Sequence, residues 1–424
     1  MNVLVIGNGG REHAVIMALK KSAKVDKIYA MKGNAGIAEM AELVNVDYCD
    51  CKAVGDWVDA KGDIDFTVVT PDDPLALGLV DELEARGHRA FGPRKNAAII
   101  EASKAFSKEL MKKYGIPTAK HETFSSYDEA KTYLETCDIP VVLKADGLAL
   151  GKGVLICMTR EEAQDGLKEM MLDKKFGSAG NKVVVEEFLE GPEVSALAFT
   201  DGKTIVPMIT SCDHKRAKDN DEGLNTGGMG TFCPAPFYGE KTEKEVMEKI
   251  MLPTVEAMNK EGRTFKGVLY FGLMKTKAGM KVIEYNSRFG DPETQVILPM
   301  LKTDLMEIFE AVVDERLDEI KIEWKDGACV CVVLASGGYP EKYEKGKEIT
   351  FGDVDEDVLL CHAGTKAKDG KIVTDGGRVL GVVATGDDIE SARQKAYRNA
   401  EKIRFDGMYY RSDIGIKYRD VAKE

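Results

Sequence analysis

The sequence predicts an α/β protein in three parts: a parallel-sheet domain at 1–102, an α+β block at 103–326 and a β-rich α+β module at 327–424. Three observations carry this. Residues 1–100 alternate short apolar runs with amphipathic stretches, the βαβ rhythm of a parallel sheet covered by helices, a Rossmann-like layout. Pro117 ends that rhythm, and strands, Gly-rich loops and helices then follow without regular alternation. From about 327, "ACVCVVLASGGYP" starts a further β-rich run.

The elements follow in order. Val3–Ile6, Lys27–Ala30, Phe66–Thr70 and Ala90–Phe91 read as strands, and Glu12–Lys21, Leu75–Arg86 and Ala97–Tyr114 as helices. Ligands of such a sheet lie at the C-terminal ends of its strands. In the middle block, "PVVLKADGLALGKGVLICMT" is a strand, a Gly-rich loop and a strand, inside a lid subdomain at about 118–190. "EEAQDGLKEMMLDKKF" is a helix, and "KVVVEEFLEGPEVSALAFTDGK" supplies two strands. The polar loop from Ser211 to Pro236 has the length of a functional or a disordered segment. A helix at Lys244–Lys260 and strands at Gly267–Lys275 and Met280–Tyr285 complete the block.

Composition narrows the function classes. The 424 residues suffice for two to four domains, with 44% hydrophobic and 31% charged residues. No apolar run approaches the ~20 residues of a membrane span, and the start reads as a strand, not a secretion signal. The chain therefore reads as cytoplasmic, with no membrane partner. A net charge of −13 argues against a nucleic-acid partner. Nine cysteines without a CxxC read as core thiols, with Cys49/Cys51 and Cys329/Cys331 as pairs on strand-like stretches.

The opening "VLVIGNGGREH" has the form of a phosphate-binding turn. A dinucleotide fingerprint needs G-x-G-x-x-G and an acid about 20 residues on. Gly7 and Gly9 fit, but Glu12 stands at the third position and Lys32 where the acid belongs. What remains is a helix N-terminus with Arg11 and Lys32, suited to a terminal phosphate on a small ligand.

Three stretches of the middle block belong together. In "VVLKADGLALGKGV", Lys144 ends an apolar strand, and Gly147, Gly151 and Gly153 form a flap able to close over phosphates; the Walker pattern is absent. In "VVVEEFLEGPEVS", Glu186, Glu187 and Leu189 suit an adenine slot and Glu193 a ribose, although taken alone the stretch reads better as an edge strand with solvated acids. In "VIEYNSRFGDPETQ", Glu284 and Asn286 share one strand face, with Ile283 and Tyr285 on the other. That oxygen pair suits a hard cation completed by phosphate oxygens and water. Arg288 can fork onto a carboxylate or phosphate. Together they describe a non-Walker ATP site.

This order of motifs resembles the ATP-grasp superfamily. The whole chain resembles the glycinamide ribonucleotide synthetase family, through "GNGGREHA", "SKAFSKELMKKYGIPTA", "KADGLALGKGV", "SCDHKRAKDNDEGLNTGGMG", "IEYNSRFGDPETQ", "HAGT" and "YRSDIG". The resemblance implies a pre-ATP-grasp N-terminal domain, an ATP-grasp domain and a C-terminal domain. It also implies ligation of glycine to 5-phosphoribosylamine with ATP and Mg²⁺ or Mn²⁺, through glycyl phosphate, in purine biosynthesis, by a monomer.

It further implies residue roles. Glu284 and Asn286 hold the metal, Lys104 and Lys144 pair with phosphates, and Gly147 to Gly153 close as a lid. Glu186, Glu187, Leu189 and Glu193 line adenosine. Arg288 takes glycine's carboxylate and Asp213 its ammonium. Gly9, Gly10 and Arg11 take the phosphate of phosphoribosylamine, with Lys32, Asn34, Pro71 and Asp72 near its sugar. Asp72 departs from the family's usual Glu, one methylene longer. His362 and Arg378 belong to the module that covers the site. The residues alone leave open another ATP-grasp carboxylate–amine ligase, a biotin-dependent carboxylase subunit, a dinucleotide oxidoreductase and a nucleotide sensor.

Overall fold

A computed structural model describes residues 1–148, 153–418 and 421. Strands β1 (Asn2–Gly7), β2 (Lys27–Lys32), β3 (Glu42–Val44), β4 (Phe66–Val69) and β5 (Ala90–Phe91) form a parallel sheet in the order β3-β2-β1-β4-β5. Alternation along β1 divides its side chains between two cores. Leu4 and Ile6 meet Val54 and Val58 of α2 (Cys51–Lys61) and Leu79 and Leu83 of α4 (Leu79–Ala85). Val3 and Val5 meet Val15 and Ile16 of α1 (Gly10–Leu19), and this cluster continues into Val296 and Phe309. One face of the N-terminal sheet therefore shares its core with the middle of the chain.

Several boundaries differ from the sequence reading. The stretch read as one helix at 75–86 is α3 (Asp72–Leu77) and α4, divided at Gly78, whose φ of +99° favours glycine. The stretch at 97–114 is α5 (Lys95–Ala102) and α6 (Lys104–Tyr114). Ser103 between them is extended and caps α6, its hydroxyl accepting the Phe106 N–H at 3.1 Å. The Cys49/Cys51 pair is not on a strand: Asp50 caps α2, which begins at Cys51. All nine cysteines are free thiols.

Strands β6 (His121–Phe124), β7 (Val141–Ala145), β8 (Val154–Cys157) and β9 (Val183–Glu187) form an antiparallel sheet in the order β6-β9-β7-β8. Leu143 and Val185 pack under α7 (Tyr127–Thr136) and α8 (Arg160–Met171), while alternate residues Val142, Lys144 and Glu186 face a central cavity.

A third sheet, β11-β10-β16-β17, joins β10 (Glu193–Thr200), β11 (Ile205–Pro207), β16 (Gly267–Thr276) and β17 (Gly279–Asn286). Helices α9 (Glu240–Val246) and α10 (Leu252–Lys260) add Val246, Val255 and Met258 to a core with Met280, Val282 and Tyr285. On its other face lie α11 (Glu293–Ile297) and α12 (Leu305–Val313), through Val296 and Phe309.

The long loop is structured. It carries β12 (Cys212–Asp213), a hairpin of β13 (Arg216–Lys218) and β14 (Glu222–Asn225), and β15 (Gly230–Cys233). β12 and β15 extend the C-terminal sheet, β12-β15-β18-β23-β20, with β18 (Ala328–Ala335), β20 (Leu359–His362) and β23 (Arg378–Gly386), under α13 (Ile389–Ala400). Short ladders pair β19 (Thr350–Phe351) with β24 (Ile403–Arg404), and β21 (Thr365–Lys368) with β22 (Lys371–Thr374). The division at 326/327 is thus bridged by one sheet. No described helix is long and apolar enough to cross a membrane.

Candidate active site

The sheets converge on a cavity of about 690 Å³. From the N-terminal domain come Arg11, Asp72 and Glu101. The β6–β9 sheet gives Lys144, Gly147, Gly153, Glu186 and Glu187, followed by Leu189. The β10–β17 sheet and its exit give Glu193, Glu284, Asn286 and Arg288, and the long loop gives Asp213. Lys104 enters from the start of α6. Gly151 lies outside the described residues. Gly9, Gly10, Lys32, Asn34 and Pro71 do not line the cavity.

A β-bulge sets the metal-suited pair. Leu273 faces Val282 across the ladder, but Gly272 faces Glu284, so Ile283 is the extra residue. Met280 and Val282 are core residues, and strict alternation would bury Glu284 after them. The bulge shifts the phase, so Tyr285 takes the core position, its hydroxyl 2.9 Å from Thr254. Glu284 and Asn286 are left on the cavity side. This corrects the placing of Ile283 beside Tyr285: Ile283 is only partly buried and outside the core that Tyr285 joins, and its carbonyl accepts from Lys144 at 2.9 Å. Burial works against the Glu284 charge, but Lys215, Lys144 and Lys104 overcome it and hold its carboxyl below the usual range. Lys215 Nζ stands 3.5 Å from Glu284 and 3.7 Å from Glu193.

Lys104 bonds the carbonyl of Gly147 at 2.8 Å. Asp146 Oδ1 accepts from the Ser103 hydroxyl and the Ala105 N–H, both at 3.0 Å, fastening the start of α6 to the Gly-rich loop. Glu186 is not a free ligand of the slot. It lies between Lys108 at 2.9 Å and Lys144 at 3.0 Å, all three nearly fully buried. Glu187 accepts from Lys281 at 2.8 Å and the Lys120 N–H at 3.0 Å.

Arg288 bonds Glu101 at 2.9 Å, and Glu101 also accepts from the N–H and hydroxyl of Ser287 at 2.8 Å each. Burial opposes the Arg288 charge, yet Glu101, Asp72 and Glu293 raise its pKa overall. Its buried Nε has no partner among the described residues. Asp213 is pushed well above the usual carboxylate range by burial and then by Glu293. Glu293 accepts from Ser195 at 3.0 Å and Tyr270 at 3.1 Å. Gly228 covers Asp213 closely: with φ +118°, a Cβ there would lie 2.4 Å from Pro292 and 2.7 Å from Asp213.

The opening turn departs from expectation. The buried Glu12 carboxylate accepts the Gly9 N–H at 2.6 Å, the Arg11 Nε at 2.5 Å and the Thr70 hydroxyl at 2.7 Å. The Gly9 N–H is therefore taken by the protein, and a Cβ on Gly10 would lie 2.7 Å from Gln295. Of this motif only Arg11 faces the cavity, its Nη1 pinned to the Phe289 carbonyl at 3.2 Å. Asn34 is spent on backbone: its amide donates to Asn8 and His362 carbonyls, and its oxygen accepts from Gly36 and Ile37. Lys32 is exposed and points to Asn45 at 3.4 Å. Pro71 is buried at the start of α3. His362 packs on His13 and Thr365 away from the cavity, whereas Arg378 lines it and bonds the Gly227 and Asp291 carbonyls.

Sequence reasoning missed Glu101, Lys108, Lys215 and Tyr270. Lys108 carried a signal, standing four residues after Lys104 on one helix face. Lys215 stands two after Asp213. Glu101 had none, because its partners come from a strand exit nearly two hundred residues away.

Three domain descriptions match in succession: phosphoribosylglycinamide synthetase N domain at 1–101, ATP-grasp (A) domain at 102–294 and C domain at 329–417. The chain belongs to the phosphoribosylglycinamide synthetase family. A phosphoribosylamine–glycine ligase of Caldanaerobacter subterraneus subsp. tengcongensis is 50% identical over 418 residues, spanning 99% of this chain and 100% of the relative. One from Listeria monocytogenes is 47% identical, over 98% and 100%. The solved phosphoribosylamine–glycine ligase of Thermotoga maritima superposes with a TM-score of 0.83 at 37% identity, over 97% of this chain and 100% of that one. A biotin carboxylase from Campylobacter jejuni shares the fold alone, with a TM-score of 0.75 at 14% identity over 96% and 92%. Within the phosphoribosylglycinamide synthetase family, the parts predicted from the motifs stand in the expected order: parallel sheet, ATP-grasp sheets, C-terminal sheet.

Proposed function

We propose that this chain joins glycine to 5-phosphoribosylamine, forming glycinamide ribonucleotide, ADP and phosphate, as a step of purine biosynthesis. The observation that carries the reading is one cavity shared by the sheets. It assembles a cation-rich slot, an oxygen pair, and an Arg288 opposite carboxylates, from three sheets of one family architecture.

ATP phosphorylates the glycine carboxylate, and the amine of phosphoribosylamine attacks the resulting acyl carbon and expels phosphate. The protein's work is positioning and charge neutralisation. Glu186, Glu187, Leu189 and Glu193 would border adenosine. Lys104 and Lys144 would face the phosphates, and Gly147 and Gly153 would flank the loop that shields the acyl phosphate from water. Arg288, held by Glu101, would orient the glycine carboxylate, and Asp213 its ammonium. Arg11 and Asp72 would meet the second substrate from the N-terminal side.

Glu284 and Asn286 fit a hard cation by donor type. The described residues contain no group of three or more His, Cys, Asp or Glu placed for a metal. A two-ligand oxygen pair beside a phosphate slot suits Mg²⁺ or Mn²⁺, which take the rest of their shell from phosphate and water. Such a cation offsets phosphate charge.

The test is ADP release with each substrate omitted in turn. Release is expected only when glycine and phosphoribosylamine are both present; release with another acid and amine, at equal rate, would overturn the assignment.

A further inference from the structure

Four charged residues of the cavity wall are only 2–4% exposed: Glu293, and the cluster of Lys108, Glu186 and Lys144. Glu186 divides its oxygens: Oε2 lies 2.9 Å from Lys108 and Oε1 3.0 Å from Lys144. Lys108 also donates to the Thr118 hydroxyl at 2.7 Å, and that hydroxyl donates to the Val282 carbonyl at 2.7 Å. Lys144 donates to the Ile283 carbonyl at 2.9 Å. Both lysines thus reach the bulge immediately before Glu284.

Charge counting gives this arrangement a purpose. A buried Lys144 alone with Glu186 would form a closed, neutral pair. In that pair Glu186 would hold the ammonium against any incoming phosphate. Two ammonium groups on one carboxylate leave a net positive charge in the wall. An ammonium has three N–H groups, and Lys144 spends one on the Ile283 carbonyl, its contact with Glu186 Oε1 being an ion pair without hydrogen-bond geometry. Burial, partly offset by Glu186, lowers Lys108 to about 8.

We propose that Lys108 is a positioning residue of the nucleotide slot, satisfying Glu186 so that the Lys144 ammonium stays free to engage the phosphates of ATP. This rests on the ATP reading of the cavity. It adds a role to a residue that need not touch the nucleotide, and it predicts that Lys108 matters only while Glu186 is charged.

A double-mutant cycle tests it on the full-length enzyme. Lys108→Met is expected to raise the KM for ATP by about tenfold, the effect of one charge-assisted bond. The KM values for glycine and phosphoribosylamine are expected to stay within about twofold, which a general loss of structure would not allow. In a Glu186→Gln background the same change is expected to move the ATP KM by less than about twofold. An unchanged ATP KM in Lys108→Met, or an equal tenfold rise in both backgrounds, would overturn the proposal. If Lys108→Met does not fold, Glu186→Gln and the double variant decide alone: matching ATP KM values support it and a tenfold gap refutes it. Unsubstituted enzyme that does not bind ATP would refute the parent reading and this proposal together. A failed Lys108 comparison would leave the parent reading standing.

Discussion

Glu284 shows how far one backbone irregularity carries. Without the bulge at Ile283 its carboxylate would point into a core of Met280, Val282 and Phe271. With it, the carboxylate meets three lysines at the cavity. Glu284→Ala is expected to lower ADP release by at least about 100-fold while leaving the circular dichroism spectrum intact. Turnover near the parent rate at saturating Mg²⁺ would contradict the metal assignment. Arg11 stands at the opposite wall, pinned by Glu12 and Phe289. Arg11→Ala is expected to raise the KM for phosphoribosylamine about tenfold, the effect of one charge-assisted contact, and that for ATP less than twofold. Equal shifts in steady-state assays would remove Arg11 from the phosphate. Glu12, standing where a dinucleotide fingerprint needs glycine, takes the Gly9 N–H with its carboxylate. The same bond also removes Gly9 as a donor to the substrate's own phosphate, which no spacing rule could reveal.

At the scale of elements, the break between α5 and α6 places Lys104. The helical pattern runs through residues 97–114 without interruption, and only the Ser103 cap divides it. The cap is reinforced from outside, by Asp146 on the Gly-rich loop. Ser103→Ala is expected to cost about 1 kcal/mol, read as a lower urea midpoint, and to raise the KM for ATP through displacement of Lys104. An unchanged midpoint would mean that Asp146 holds the helix start without the hydroxyl. The division at Gly78 was open to the sequence, because a glycine marks it. The division at Ser103 was not, because serine also occurs within helices.

For the whole molecule, two buried histidines join α1 of the N-terminal domain to β20 of the C-terminal sheet. The His362 N–H donates to His13 Nδ1 at 2.8 Å, and the rings meet edge-on at 5.6 Å. Gly36 lies against both; a Cβ there would stand 2.5 Å from His13 and 2.6 Å from His362. Burial, helped by the neighbouring His362, brings His13 down to about 3, and burial brings His362 to about 4. These folded values lie below the usual 6.5, so the unfolded chain binds more protons. The stability they support is present above pH 6.5 and lost as pH falls toward 4 and 3. Each histidine is expected to cost up to about 1.4 kcal/mol per pH unit in that window. Urea unfolding of the parent and of His13→Gln at pH 7 and pH 5 checks this. The variant's midpoint is expected to fall less on acidification, and an identical fall would exclude the pair.

The sequence by itself determined the order of domains, the strand that opens the chain, the Gly-rich loop and the acidic strand end. These are local patterns, set by periodicity and by residue chemistry within some fifteen positions. Tertiary structure decided which charge answers which. Glu186 pairs with Lys108 from a different segment, Glu101 clamps Arg288 across nearly two hundred residues, and the long loop joins the C-terminal sheet through β15 and β18. The physical reason is that a buried charge is placed by whatever opposite charge the fold brings within reach, and the energy of that pairing depends on distance and desolvation, not on separation along the chain.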